Sequence, residues 1–221
     1  MKTLVIIPAF NEEDSIAKLI KEVSDLGYDY LVINDCSTDN TKEILNSNNF
    51  SHLDLSINLG IAGVTRVGFK YAHDHKYDCV VCIDGDGQHL PSYIQSLTNE
   101  IEKGYDYVIG SRFVSEKKSS SLRMFGSKIL CLLIKLKTGK EVYDPTSGMR
   151  ALGKKVISAF DESMNFYAEP DTLCYLINKG YNCKEVQVVM KERESGTSYF
   201  NNPFKSFYYM LCEFLSILFI Q

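Results

Sequence analysis

Cys79-Val80-Val81-Cys82-Ile83 runs directly into Asp84-Gly85-Asp86-Gly87-Gln88-His89. Five apolar residues bounded by a turn cluster read as a buried strand. Two carboxylates on a turn that glycines keep open can hold a hard divalent cation that also takes phosphate oxygens. Working outward, the same rhythm recurs on both sides. Residues 4–7 read as a strand, Asn11 as a candidate N-cap followed by Glu12, Glu13 and Asp14, and Ile16, Leu19, Ile20, Val23 and Leu26 as one helical face. Residues 30–33 form a second strand ending in Asn34-Asp35, residues 53–57 a third, and residues 62–73 a helix. Beyond the central motif a helix follows Pro91, and residues 107–109 form a strand before Gly110-Ser111-Arg112. Strands alternating with helices predict an α/β fold, a mostly parallel sheet flanked by helices, with ligands beyond the carboxyl ends of the strands. The polar clusters stand at those ends.

After Arg112 the rhythm breaks. A Ser/Lys-rich loop over 116–121 leads into a helix over 122–137 that carries Arg123, Ser127 and Lys128, and residues 184–190 alternate as a late strand. From 204 to 220 the chain is almost wholly apolar and aromatic, interrupted by Lys205 and Glu213. That run is shorter than the roughly 20 residues a spanning helix needs. It is expected to lie in a membrane interface, to meet a partner such as a second copy, or to dock on the chain's own core. With 221 residues against roughly 150 per domain, one enlarged domain over 1–200 followed by an apolar helix over 201–221 is the expected organisation.

A composition of 45% hydrophobic and 24% charged residues excludes a disordered or low-complexity chain, and a net charge of -4 argues against nucleic acid as a partner. The charge is uneven: residues 112–140 hold eight Lys/Arg and one acid, Glu116, for +7, which leaves -11 on the rest. A basic island on an acidic body implies a local anionic partner, phosphate or a membrane surface. Seven cysteines without a framework, and an opening apolar run too short for a secretory signal, give the expectation of a cytoplasmic protein with reduced thiols. Cys79 and Cys82 have zinc or redox spacing, but residues three apart on a strand point to opposite faces, so both are expected in the core.

Asp35 ends a strand where a carboxylate can accept hydrogen bonds from a base or ribose, or cap the helix beginning near Thr41. Taken together, Val5-Ile6-Ile7-Pro8-Ala9-Phe10-Asn11-Glu12-Glu13, the Asp35 turn, Asn58-Leu59-Gly60, the Asp84 motif, Gly110-Ser111-Arg112-Phe113 and Asp144-Pro145-Thr146-Ser147-Gly148-Met149-Arg150 resemble family 2 glycosyltransferases. The branch that the chain is most similar to is the dolichyl- and polyprenyl-phosphate sugar synthases. The likeness runs in order from about Val5 to Ser198. It implies a nucleotide-sugar-binding GT-A fold, Mg²⁺ or Mn²⁺ as cofactor, and inverting transfer.

Residue by residue, the resemblance assigns Pro8, Ala9, Asn11, Glu12 and Asp35 to the nucleoside. Asp84 and Asp86 then hold ribose, metal and diphosphate with Gln88 beside them, and Arg193 lies near the diphosphate. Arg112, Arg123 and Ser127 match positions that receive the acceptor lipid phosphate, inside the basic island that the charge count locates independently. Guanidinium groups suit bidentate phosphate recognition, and the neighbouring lysines read as a solvated face. The sequence departs from the synthases in having Gly196-Thr197-Ser198-Tyr199 where Gly-x-Ser-Lys is usual, and one apolar segment in place of paired membrane helices. It is also similar to short family 2 enzymes of capsule and cell-surface polysaccharide assembly.

The expected reaction moves a hexose from a UDP- or GDP-sugar to polyprenyl phosphate at the inner membrane face. A metal at Asp86 and the nearby Arg193 would stabilise charge on the leaving diphosphate. An anionic acceptor needs no base; a sugar hydroxyl of a lipid-linked glycan does, with Glu169 and Asp171 as candidates. Both acids equally suit the start of the helix after Pro170. A non-catalytic nucleotide-sugar-binding scaffold is the reading from another class. A nucleotidyltransferase ranks last, because no Gly-rich, Lys/Arg-containing loop stands near the amino terminus to grip a triphosphate.

Overall fold

The computed structural model describes residues 1–118, 122–162, 170–192 and 203–219, with side chains except those of 122, 123, 161, 162 and 203–207. Strands β1 (Thr3–Ala9), β2 (Asp29–Asn34), β3 (His52–Asp54), β4 (Cys79–Cys82), β5 (Tyr107–Ser111), β6 (Arg150–Gly153) and β7 (Cys183–Gln187) form one sheet in the order β3-β2-β1-β4-β6-β5-β7. Only β6 runs antiparallel to its neighbours among the described strands. The α/β class and the mostly parallel sheet agree with the sequence reading.

Alternation along the strands sends successive side chains to opposite faces. Val5, Ile7 and Ala9 join one core with α1 (Ile16–Asp25), α2 (Thr41–Ser47) and α4 (Ile94–Glu102). Leu4 and Ile6 join the other, beneath α3 (Gly60–Asp74), α5 (Leu122–Thr138), α6 (Lys154–Glu162), α7 (Pro170–Asn178) and α8 (Pro203–Phe219). Cys79 and Cys82 fall in opposite cores, and burial pushes both thiols up to about 12.

Two local expectations change, and two elements are unexpected. The third strand stops at Asp54, at an edge where Leu53 is exposed. The late strand stops at Gln187, and Met190 instead makes an isolated bridge with His89. β6 and α6 have no sequence forecast, because β6 is four residues long, opening on Arg and closing on Gly. Arg150 is nevertheless buried, its guanidinium donating to the carbonyls of Pro145 and Ser147 and to the Tyr107 hydroxyl. Those bonds satisfy a charge that would otherwise oppose burial.

Candidate active site

β1 lies between β2 and β4, so the turns that end those two strands emerge on either side of Pro8-Ala9. The Ala9 carbonyl accepts from the Asp35 N–H at 2.8 Å, and the Pro8 carbonyl from the Gly85 N–H at 3.1 Å. Gly85 has no room for a side chain, since an added Cβ would stand 2.7 Å from the Pro8 oxygen. Gly87 takes the left-handed backbone with φ 72° that glycine favours. The Ser15 hydroxyl donates to the Gly85 carbonyl at 2.7 Å and fixes the turn to the start of α1.

Within the turn, Asp86 Oδ1 accepts from the Gln88 N–H at 3.0 Å, and the Asp84 N–H donates to His89 Nδ1 at 2.9 Å. The Asp84 carboxylate is partly exposed. Gln88 pairs with Lys191 through its carbonyl, which accepts the Lys191 N–H, and through its amide, which donates to the Lys191 carbonyl. This pairing fixes the chain two residues before Arg193, which itself lies outside the described residues. Among the described residues no third His, Cys, Asp or Glu joins the two aspartates in a metal-sized group. Two carboxylates fit Mg²⁺ or Mn²⁺, which usually keep waters and complete their shell with substrate phosphates.

The segment entering β6 closes the other side of this turn. Cys82 pairs with Arg150, and continuing that antiparallel register places Gly148 opposite Asp84. A Cβ on Gly148 would stand 2.6 Å from Asp84 Oδ2 and 3.0 Å from Oδ1. A side chain at Gly148 would therefore displace the Asp84 carboxylate, a constraint that its position 64 residues away conceals.

Asn11 is not the cap expected of it, and Asp35 does not take its alternative role as a cap of the helix near Thr41. α1 begins at Ile16, and Asn11 sits in a left-handed turn with φ 57°, its Oδ1 accepting from the Thr38 N–H at 2.8 Å. The N–H groups of Glu12 and Glu13 go to Thr41 and Asp39 across the loop, which is why no helix starts there. Asp35, buried, accepts from the N–H groups of Leu59 at 2.7 Å and Gly60 at 2.9 Å. It thus caps α3, whereas Asp39 accepts from Thr41 at the start of α2.

The basic island reaches the same rim through β5. Arg112 grips Asp144 with two parallel bonds, Nε to Oδ2 at 2.7 Å and Nη2 to Oδ1 at 2.8 Å. Asp144 is wholly buried. A guanidinium has five N–H donors, so three of Arg112's are not taken by Asp144 and could meet an anion. Glu185 accepts from the Tyr143 and Asp144 N–H groups, and burial pushes its carboxyl upward. Lys118, expected on a solvated face, instead donates to the buried Ser127 hydroxyl at 2.6 Å and stands 5.3 Å from the Phe113 ring centre. Nothing in the composition of its loop marks it. Lys128 is exposed, as expected of the island's lysines. Arg123 lies in the first turn of α5 with its side chain outside the described residues.

Of the two candidate bases, Glu169 lies outside the described residues. Asp171 joins α7 to α8: Oδ1 accepts from the Thr172 N–H at 2.6 Å, Oδ2 from the Ser216 hydroxyl at 2.7 Å, and its own N–H donates to Glu213. An open hollow of about 580 Å³ lined by Lys154, Lys155, Lys179 and Tyr181 lies at the opposite end of the sheet. Lys155 there pairs with Asp106 at 3.2 Å.

The model of glycosyl transferase family 2 matches residues 4–160. The polyprenol monophosphomannose synthase of Mycolicibacterium smegmatis is 27% identical over 212 residues, covering 89% of this chain and 80% of its own. The UDP-N-acetylglucosamine–dolichyl-phosphate N-acetylglucosaminyltransferase of Methanococcus voltae is 31% identical over 182 residues, with 72% of each chain covered. Among solved structures, glucosyl-3-phosphoglycerate synthase from Mycobacterium tuberculosis in complex with Mn²⁺, UDP-glucose and phosphoglyceric acid superposes with a TM-score of 0.72. The match covers 98% of this chain and 79% of that one at 17% identity, a likeness of fold.

Proposed function

The chain belongs to glycosyl transferase family 2, and on that premise we propose that it moves a hexose from a uridine- or guanosine-diphosphate sugar to a polyprenyl-type phosphate, inverting the anomeric carbon. The observation that carries this reading is the shared rim. The Asp84-Gly85-Asp86 turn after β4 and Arg112 after β5 stand at the carboxyl ends of parallel strands on one side of the sheet. A donor diphosphate at the first and an acceptor phosphate at the second would meet there. The names of the relatives from Mycolicibacterium smegmatis and Methanococcus voltae support a lipid phosphate as acceptor.

Pro8, Ala9, Asn11, Glu12 and Asp35 frame the side of the rim proposed for the nucleoside. Asp84 and Asp86, with Gln88 adjacent, would hold Mg²⁺ or Mn²⁺, which when bound neutralises charge on the leaving diphosphate. Arg193 is assigned to the same diphosphate. Arg112, Arg123 and Ser127 orient the acceptor, whose phosphate oxygen bonds the anomeric carbon as the bond to the diphosphate oxygen breaks with its electron pair. A single displacement inverts the centre, and an anionic acceptor has no proton to remove. A hydroxyl acceptor would need a base, and Asp171 already serves the α7–α8 joint.

Among the described residues no helix is long and apolar enough to cross a membrane. α5 and α8 pack together, yet Phe125, Leu132 and Leu136 on the first and Tyr208 and Phe219 on the second are each more than half exposed. Lys128, Lys135 and Lys137 stand among them. Apolar side chains interleaved with lysines suit the headgroup boundary of an anionic bilayer, where a lipid acceptor resides.

The test is transfer of radiolabelled sugar from uridine- and guanosine-diphosphate donors into short-chain polyprenyl phosphate, with and without Mn²⁺. Label should enter lipid only with metal, and Asp86→Asn should lower the rate about 10³-fold, the scale of a lost electrostatic stabiliser. Donor binding without lipid labelling would overturn the proposal and direct attention to lipid-linked glycan acceptors, with Glu169 as base.

A further inference from the structure

We propose that His89 is a positioning residue for the acidic turn: its Nδ1 holds the Asp84 backbone so that the Asp84 and Asp86 carboxylates present a preformed face to the metal and diphosphate. The inference rests on the donor-site reading above and deepens it.

The Asp84 N–H is the first that the sheet cannot satisfy. Ile83 and Gly85 donate to the carbonyls of Ile6 and Pro8 on β1, but Asp84 points to the other side, where the β6 pairing begins only at Cys82 and Arg150. His89 Nδ1 takes that N–H at 2.9 Å, which makes Nδ1 an acceptor and puts the ring proton on Nε2. The 3.6 Å approach of Nδ1 to Asp84 Oδ2 is therefore a contact between two acceptors, not an ion pair.

The ring is locked on its other sides. Its side chain is 0% exposed, and its Cε1 lies 3.0 Å from where a Gly148 Cβ would stand, the point that also crowds the Asp84 carboxylate. The His89 backbone bridges to Met190, adjoining the Gln88–Lys191 pair. His89 thus meets the Asp84 turn and the segment entering β6 through its ring, and the segment that leads to Arg193 through its backbone.

The remaining observation argues for function over packing. Nε2 is buried and has no hydrogen-bond partner among the described residues. Burying that N–H unpaired opposes folding, and a leucine would fill the slot without it. The feature leucine lacks is the Nδ1 acceptor, and partners that orient a ligating group typically change metal affinity about 10–100-fold when removed.

The experiment compares wild type, His89→Leu and His89→Asn by two readouts, neither of them turnover. One is Mn²⁺ uptake followed by electron paramagnetic resonance, with Mn²⁺ alone and with UDP or GDP; the other is thermal unfolding. Asparagine Oδ1 stands at the same bond distance from Cα as Nδ1 and can accept the same N–H. His89→Leu removes the unpaired Nε2–H but leaves the Asp84 N–H without its acceptor, so it should unfold near the wild-type temperature while binding Mn²⁺ with nucleotide at least about tenfold more weakly, and His89→Asn should recover most of that loss in binding. A leucine variant with wild-type Mn²⁺ affinity overturns the proposal, as does an asparagine variant no better than leucine. If leucine prevents folding, the ring is structural and the proposal fails. Wild type that takes up no Mn²⁺ with either nucleotide overturns the donor-site reading itself.

Discussion

Around Pro8 the rim of the sheet is held largely by backbone: the Asp35 and Gly85 N–H groups donate to the carbonyls at the end of β1, and the short Asp35 carboxylate accepts from the Leu59 and Gly60 N–H groups where α3 begins. Around Arg112 it is held by side chains, the fork to Asp144, the Glu185 carboxylate beneath it and the Lys118 ammonium on Ser127. Backbone bonds within adjacent strands leave few alternative arrangements. Long basic side chains have many, and Arg112 uses only two of its five N–H donors on Asp144. The Asp84 side of the rim is therefore preformed, whereas the Arg112 side carries its own counter-charge in Asp144.

The sharpest way to break that contrast is Arg112→Ala, which leaves the buried Asp144 charge uncompensated. It should lower stability by about 3–5 kcal/mol in urea unfolding, and Arg112→Lys, which keeps the charge but loses the fork, should lose less. A shift of Arg112→Ala below about 0.5 kcal/mol, the scale of an ordinary surface change, would mean the pair does not hold this rim. Next is Ile217→Ala, a buried apolar residue of α8, expected to cost about 2–5 kcal/mol; a smaller loss would detach α8 from the core. Gly148→Ala tests the rigid side. Its Cβ displaces the Asp84 carboxylate, so the transfer rate should fall about 10²-fold, the effect of a misplacement near 1 Å, with circular dichroism unchanged. An unaffected rate would make the donor turn as adaptable as the acceptor rim. The smallest effect on stability is expected for Leu136→Ser, on an exposed face: within about 0.5 kcal/mol of wild type, but with reduced flotation on vesicles containing anionic lipid. Unchanged flotation would remove the α5–α8 face from membrane binding.

Legibility follows the same division. The strands before Pro8, Asp35 and Asp84 declare themselves by short apolar runs ended by polar turns, because each run pairs within a parallel sheet buried on both faces. The Asp84-Gly85-Asp86 turn is legible for the same reason: its carboxylates and glycines are neighbours in sequence. β6 is not, since a four-residue strand opening on Arg150 has no apolar period, and the bonds that make the arginine tolerable come from Pro145, Ser147 and Tyr107. Asp35 shows the limit within a single residue. That it would accept hydrogen bonds follows from its place after a strand; that it would cap α3 instead of α2 depends on how the Asn58-Leu59-Gly60 turn returns to it.

By itself the sequence determined the α/β class, the strand-turn positions that carry the acids, the basic island and the likeness to family 2 glycosyltransferases, because these depend on residues close together along the chain. Tertiary structure alone decided that Gly148 lies on the Asp84 carboxylate, that Asp144 grips Arg112, that Lys118 turns inward to Ser127 and that His89 holds the Asp84 backbone from within the core. Hydrophobic periodicity records which face of an element is buried. It carries no record of which distant side chain will meet which polar group, since that is set by strand order and register, and only the folded sheet contains them.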